Sequence, residues 1–156
     1  EYQNTILVID PGVKKIPSSI GHKLMNENPF SKIRFNEAKK NITRLKDVFK
    51  SGHLDEFINI TESEALMIHS LMLSSSPYFI LIKPNTLEVI QRILEYRRET
   101  KNPVCFTLDA GSNVHLLYPN NIKSEVKNFI EDELLKFCKS KICIYDSLGS
   151  GSAKMI

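Results

Sequence analysis

Two strand-forming runs, residues 103–108 and 114–118, stand on either side of the polar segment Asp109-Ala110-Gly111-Ser112-Asn113. β-branched, aliphatic and aromatic residues dominate both runs, and a glycine sits between them, so the spacing predicts two strands joined by a tight turn. Asp109 then falls at a strand end, beside a glycine that lets backbone approach a ligand closely. A carboxylate placed there can accept a hydrogen bond from a substrate hydroxyl and align that oxygen for attack. On spacing alone the plainer reading comes first: an aspartate capping backbone N–H groups in a hairpin.

The rest of the pattern says what this pair of strands belongs to. Residues 4–10 read as another strand, stopped by Asp10-Pro11-Gly12. Apolar residues then recur with a helical period at Phe35, Ala38, Ile42, Leu45, Val48 and Phe49, and Gly52 supplies the stop. A second helix carries Leu54, Phe57, Ile58, Ala65, Ile68 and Leu71 and ends at Ser74-Ser75-Ser76-Pro77. Asn85 with Glu88 three positions on has capping-box spacing and opens a third helix through Ile90, Ile93 and Arg97. Val126, Phe129, Ile130, Leu134 and Phe137 mark a fourth, and residues 142–145 a last strand. Without its additional helices this order is βαββαβ. The expected fold is α+β, a ferredoxin-like four-stranded antiparallel sheet with helices on one face, in one domain over residues 1–156.

Charge and cysteine content narrow the function classes. The net charge is +3 over 156 residues, which suits an anionic small molecule but lacks the basic stripe of a nucleic-acid binder. Cys105, Cys138 and Cys143 are odd in number and form no C-x-x-C pair, which points to a reducing compartment, the cytoplasm. The histidines at 22, 53, 69 and 115 have no metal-ligand spacing, and His69 and His115 read as packing or surface residues. The closing Gly149-Ser150-Gly151-Ser152 has no phosphate-loop spacing. Ser18 and Ser19, between Pro17 and Gly21, have the hydroxyls of a phosphate-binding loop or of a simple helix N-cap. The chain opens on Glu1-Tyr2-Gln3 and enters a strand at once, which reads as a piece of a longer protein.

Residues 103–115, P-V-C-F-T-L-D-A-G-S-N-V-H, resemble the carboxy-terminal motif T-x-D-A-G-P-N of diphosphomevalonate (mevalonate diphosphate) decarboxylases, members of the GHMP kinase superfamily. Pro17-Ser18-Ser19-Ile20-Gly21 is similar to that family's V-S-S-x-x-G loop. Ser63 to His69 resembles its helix ending in a histidine, followed by a proline-bearing loop as at Pro77. The resemblance implies an ATP- and Mg2+-dependent enzyme that phosphorylates the 3-hydroxyl of mevalonate 5-diphosphate. Loss of phosphate and CO2 then yields isopentenyl diphosphate. It implies that Asp109 is the base or orienting group and that Ser19 first, and Ser18 second, meet the substrate diphosphate. Ala110, Gly111 and Asn113 shape the supporting turn, and no metal ligand falls in this chain.

Three positions depart from the family pattern. Ser112 replaces a proline and should loosen the turn while leaving Asp109 in register. Ile20 stands where some members carry an arginine, and His22 where many carry methionine. The glycine- and serine-rich nucleotide loop of the family has no counterpart here. The chain is therefore expected to be the carboxy-terminal domain, without the ATP-binding domain and inactive alone. Its implied partners are mevalonate 5-diphosphate and its own amino-terminal domain, with a homodimer left open and neither nucleic acid nor membrane. A phosphomevalonate decarboxylase or a mevalonate kinase of the same superfamily is the nearest alternative. A non-catalytic ferredoxin-like module binding a ligand or RNA is the more distant one.

Overall fold

The computed structural model describes residues 1–12, 23–147 and 149. Its strands are β1 (Tyr2–Leu7), β2 (Cys105–Leu108), β3 (Val114–Pro119) and β4 (Cys143–Ser147). Its main helices are α1 (Ser31–Ser51), α2 (Leu54–Leu73), α3 (Pro84–Thr100) and α4 (Lys123–Phe129). After α4 the helical path widens into a π turn at Ile130–Leu134 and tightens again at Leu135–Phe137. The four strands form one sheet in the order β2-β3-β1-β4, and every neighbouring pair is antiparallel.

β1 lies between β3 and β4, and its inward face has no charge. Gln3, Thr5 and Leu7 are buried on alternate positions, as a strand covered on one face requires. Thr5 sits opposite Leu116 on one side and Tyr145 on the other. Its hydroxyl lies 2.9 Å from the Tyr118 hydroxyl, so both polar groups are satisfied inside the core. The strand ends at Leu7, three residues before the expected Asp10. Beyond it the Val8 N–H turns to the Ile142 carbonyl and the Ile9 N–H to the Asn113 side chain.

Leu7, Val89, Ile93, Val104, Phe106, Leu116, Tyr118, Val126, Ile130 and Leu134 form the core under the sheet. Each such side chain removed from water contributes about 2 kcal/mol. α3 and α4 supply its outer wall, and Tyr96 stacks on Phe129 with ring centroids 4.0 Å apart. α3 starts earlier than the expected Asn85 cap. Lys83 is the N-cap, Pro84 takes the first helical position, and the Thr86 hydroxyl accepts the Lys83 N–H at 3.1 Å. Asn85 instead donates to the Phe137 carbonyl.

The α1–α2 pair departs from the expected single layer of helices. α2 runs along the free edge of β2, and α1 stacks on α2 rather than on the sheet. The contact between them is largely polar: Arg34 and Asn41 both reach Glu64, and Arg44 reaches Glu56. As a result the apolar stripe read on α1 stays mostly open. Val48 is buried, but Ile42 is 57% and Phe49 72% exposed. Gly52 closes α1 as expected, in the left-handed conformation at φ 75° with its N–H on the Val48 carbonyl.

Glu62 secures α2 to the edge strand. Its carboxylate accepts the Phe106 N–H at 3.3 Å and two bonds from Arg97 at 2.6 and 3.0 Å. Arg97 in turn donates to the Val104 carbonyl at 2.9 Å. A side-chain pair thus occupies the backbone groups that a further strand would otherwise fill. Glu62→Ala leaves a guanidinium and an edge N–H without their acceptor. It is expected to lower the unfolding free energy by about 3 kcal/mol, read from equilibrium urea unfolding.

Candidate active site

Asp109 follows β2 directly, and three elements hold the turn that it begins. The Asp109 carbonyl accepts the Gly111 N–H at 2.7 Å and faces Nε2 of His69, on α2, at 3.0 Å. The Ser112 carbonyl accepts the hydroxyl of Thr86, fully buried in the first turn of α3, at 2.7 Å. The Asn113 side-chain oxygen accepts the Ile9 and Asp10 N–H groups at 2.9 and 3.2 Å, which ties the turn to the exit of β1. Ala110 packs against the small cluster of Met25, Leu71, Met72 and Phe79 at the end of α2. The looser turn expected from Ser112 is countered from outside, because Thr86 holds its carbonyl and its side chain is buried.

Gly111 leaves room for the Asp109 carboxylate. A Cβ there would lie 2.8 Å from Oδ1 of Asp109, so the carboxylate rests over the bare Cα. The same arrangement recurs across the Asn113 link. In Asp10-Pro11-Gly12 the Gly12 N–H donates to Asp10 Oδ1 at 2.9 Å, and a Cβ on Gly12 would approach that oxygen to 2.9 Å. Lys83 Nζ stands 3.8 Å from the other Asp10 oxygen. Two Asp-x-Gly turns therefore lie side by side, one bearing Asp109 and one opening the segment that carries Ser18 and Ser19. Ser18, Ser19, Ile20 and His22 lie outside the described residues. The structure gathers Asp109, Ala110, Gly111 and Asn113 beside the Asp10-Pro11-Gly12 turn.

Thr86 and Lys83 were not read from the sequence as parts of the site, and His69 entered only through the likeness of Ser63 to His69 to the family's helix ending in a histidine. His69 is 4% exposed, and the carbonyl it faces can only accept, so the ring is in the Nε2–H form. Seven residues after Glu62, His69 falls on the same face of α2. Burial pushes its pKa below the ordinary 6.5, opposed by the bond to the Asp109 carbonyl and by the Asp109 charge. A cavity of about 600 Å³ opens at the far end of β1, between Tyr2, Phe49, Phe57 and Leu117, and is separate from this site. Phe106, the one aromatic that could make β2 a base-stacking platform, is sealed in the core at 1% exposure.

Because folding holds His69 neutral, the unfolded chain takes up a proton below about pH 6.5 that the folded chain resists. The stability from this group is fully present above that pH and falls as pH drops toward the folded pKa. Urea unfolding at about pH 7.5 and 5.5 is expected to show this loss in the wild type and a smaller one in His69→Gln.

The model of the mevalonate 5-diphosphate decarboxylase C-terminal domain matches residues 4–148. No curated protein matches the chain. Among solved structures, a mevalonate diphosphate decarboxylase from Legionella pneumophila is 28% identical, with a TM-score of 0.82 over 92% of this chain and 45% of its own. The enzyme from Staphylococcus aureus is 22% identical, with a TM-score of 0.81 over 92% and 42%. MDDEF in complex with MVAPP, AMPPCP and magnesium is also 22% identical, with a TM-score of 0.82 over 93% and 43%. The chain thus spans less than half the length of the solved structures it matches. By a match over nearly its whole length, the chain belongs to the mevalonate 5-diphosphate decarboxylase C-terminal domain family.

Proposed function

We propose that this chain is the carboxy-terminal, ferredoxin-like domain of an enzyme that decarboxylates mevalonate 5-diphosphate to isopentenyl diphosphate at the expense of ATP. One observation carries the reading. The carboxylate that the family motif places at a strand end stands on a turn fixed from α2, α3 and β1 together. Phosphoryl transfer asks little covalent chemistry of a protein and depends on orientation and charge. A carboxylate held on a rigid turn suits that task. Asp109 accepts the hydrogen bond of the substrate 3-hydroxyl, aligns its oxygen, and takes the proton as charge develops. Ser19 and Ser18 are assigned to the substrate diphosphate by the resemblance of Pro17 to Gly21 to the family's serine loop.

Among the described residues no group of three or more His, Cys, Asp or Glu could hold a metal ion. From the family resemblance we assign ATP and Mg2+ to an amino-terminal domain, and no step of the reading runs through a metal ligand of this chain. The complex of MDDEF with MVAPP, AMPPCP and magnesium supports that cofactor assignment by analogy. No described helix is long and apolar enough to cross a membrane, and the place of action proposed is the cytoplasm.

The full-length protein is expected to release CO2 from mevalonate 5-diphosphate only when ATP is supplied. Asp109→Asn should lower kcat by about 100-fold or more while KM changes little. Gly111→Ala should do the same by displacing the carboxylate. The 156-residue chain alone is expected to be inactive. Turnover of the monophosphate in place of the diphosphate would refute the substrate assignment, and CO2 release by the chain alone would refute the division of labour between domains.

A further inference from the structure

We infer that His69 is a positioning residue for Asp109, acting through the backbone carbonyl and as the last contact of a clamp that α2, with Arg97 of α3, applies along β2 and its flanking residues. This inference rests on the reading of Asp109 as the group that aligns the substrate hydroxyl. The clamp begins two helical turns earlier. Glu62 accepts the Phe106 N–H, and its partner Arg97 donates to the Val104 carbonyl. His69 then meets the Asp109 carbonyl at 3.0 Å. Those three contacts engage Val104, Phe106 and Asp109, within β2 and on either side of it, so α2 together with Arg97 of α3 sets where β2 lies along its own axis.

The contact at Asp109 does more than hold the strand. Its carbonyl already accepts the Gly111 N–H at 2.7 Å, and a carbonyl oxygen has two lone pairs. With His69 both are used, and the peptide plane between Asp109 and Ala110 has no free rotation left. The carboxylate on the same residue rests 2.8 Å from where a Gly111 Cβ would be, so a turned peptide plane shifts it against the bare Cα. His69 is buried, with Nε2 on the Asp109 carbonyl. It acts on the chemistry by fixing where Asp109 points. A displacement of about 1 Å at such a group costs about 100-fold in rate.

The test uses the full-length protein and two amides of different reach. His69→Gln places a donor near the Nε2 position, whereas His69→Asn ends near Nδ1, short of the carbonyl. Asn is expected to lower kcat by about 100-fold with KM nearly unchanged, and Gln to restore activity to within about tenfold of wild type. In an Asp109→Asn background, His69→Asn should cost less than about threefold more, because both changes remove the same alignment. A full additional loss in that background would overturn the inference, as would an Asn variant as active as wild type or equal losses for Asn and Gln at equal melting temperature. If Asp109→Asn by itself leaves kcat unchanged, the reading of Asp109 fails, independently of His69. Nitrogen-15 NMR of the folded wild type gives a check that needs no variant: His69 should be the neutral Nε2–H tautomer near neutral pH. A ring protonated at Nδ1 alone would overturn the inference.

Discussion

An edge strand leaves alternate backbone N–H and C=O groups facing outward with no partner, and β2, which Asp109 directly follows, is an edge strand. The fold answers this with side chains of α2 and α3 that act as a surrogate strand. Glu62 and Arg97 form a doubly bonded pair, and each member also bonds the β2 backbone. Taking two charges out of water is costly, and the mutual attraction offsets that cost only with such close geometry and added hydrogen bonds. The pair therefore fixes a relation between α2, α3 and β2 that an apolar contact, which tolerates sliding, would leave less defined.

That constraint carries through to the turn after β2. Asp109 through Asn113 bonds to α2, α3 and the exit of β1, so its shape is imposed from three sides and does not depend on a proline at position 112. Thr86 is the clearest case of one side chain with two duties. Its hydroxyl accepts the Lys83 N–H at the start of α3 and donates to the Ser112 carbonyl. Helix initiation and turn placement are thereby coupled. A site whose task is alignment gains from such coupling, because orientation is lost when any one support moves.

Much of this was legible locally. The strands around Asp109, the stop at Gly52 and the end of α2 before Ser74 follow from β-branched runs, glycine and serine clusters, whose causes lie within a few residues. The Asp-Ala-Gly-x-Asn spacing named both the candidate carboxylate and the family. What escaped were residues whose roles are made by distant neighbours. Glu62 looked like an ordinary polar position on a helix and His69 stood out only through the family's helix motif, yet each bonds backbone about 40 residues away, in β2 or directly after it. Thr86 was read past in favour of Asn85, because capping signals identify a helix start only to within a residue or two. The apolar stripe on α1 was visible as a period, but a period says which residues share a face and nothing about what covers it.

The sequence by itself determined the elements, their order and the chemical group at the end of β2, since these depend on side-chain type and short-range spacing. Tertiary structure decided how that group is held. Only the folded chain brings Glu62 and His69 to the free edge of β2, Thr86 beneath the Ser112 carbonyl, and Asn113 against the exit of β1. Hydrogen bonds between segments dozens of residues apart require the path of the backbone to be fixed first, and local pattern carries no record of that path. A single carboxylate is written in the chain, while its orientation is a property of the assembled sheet and helices.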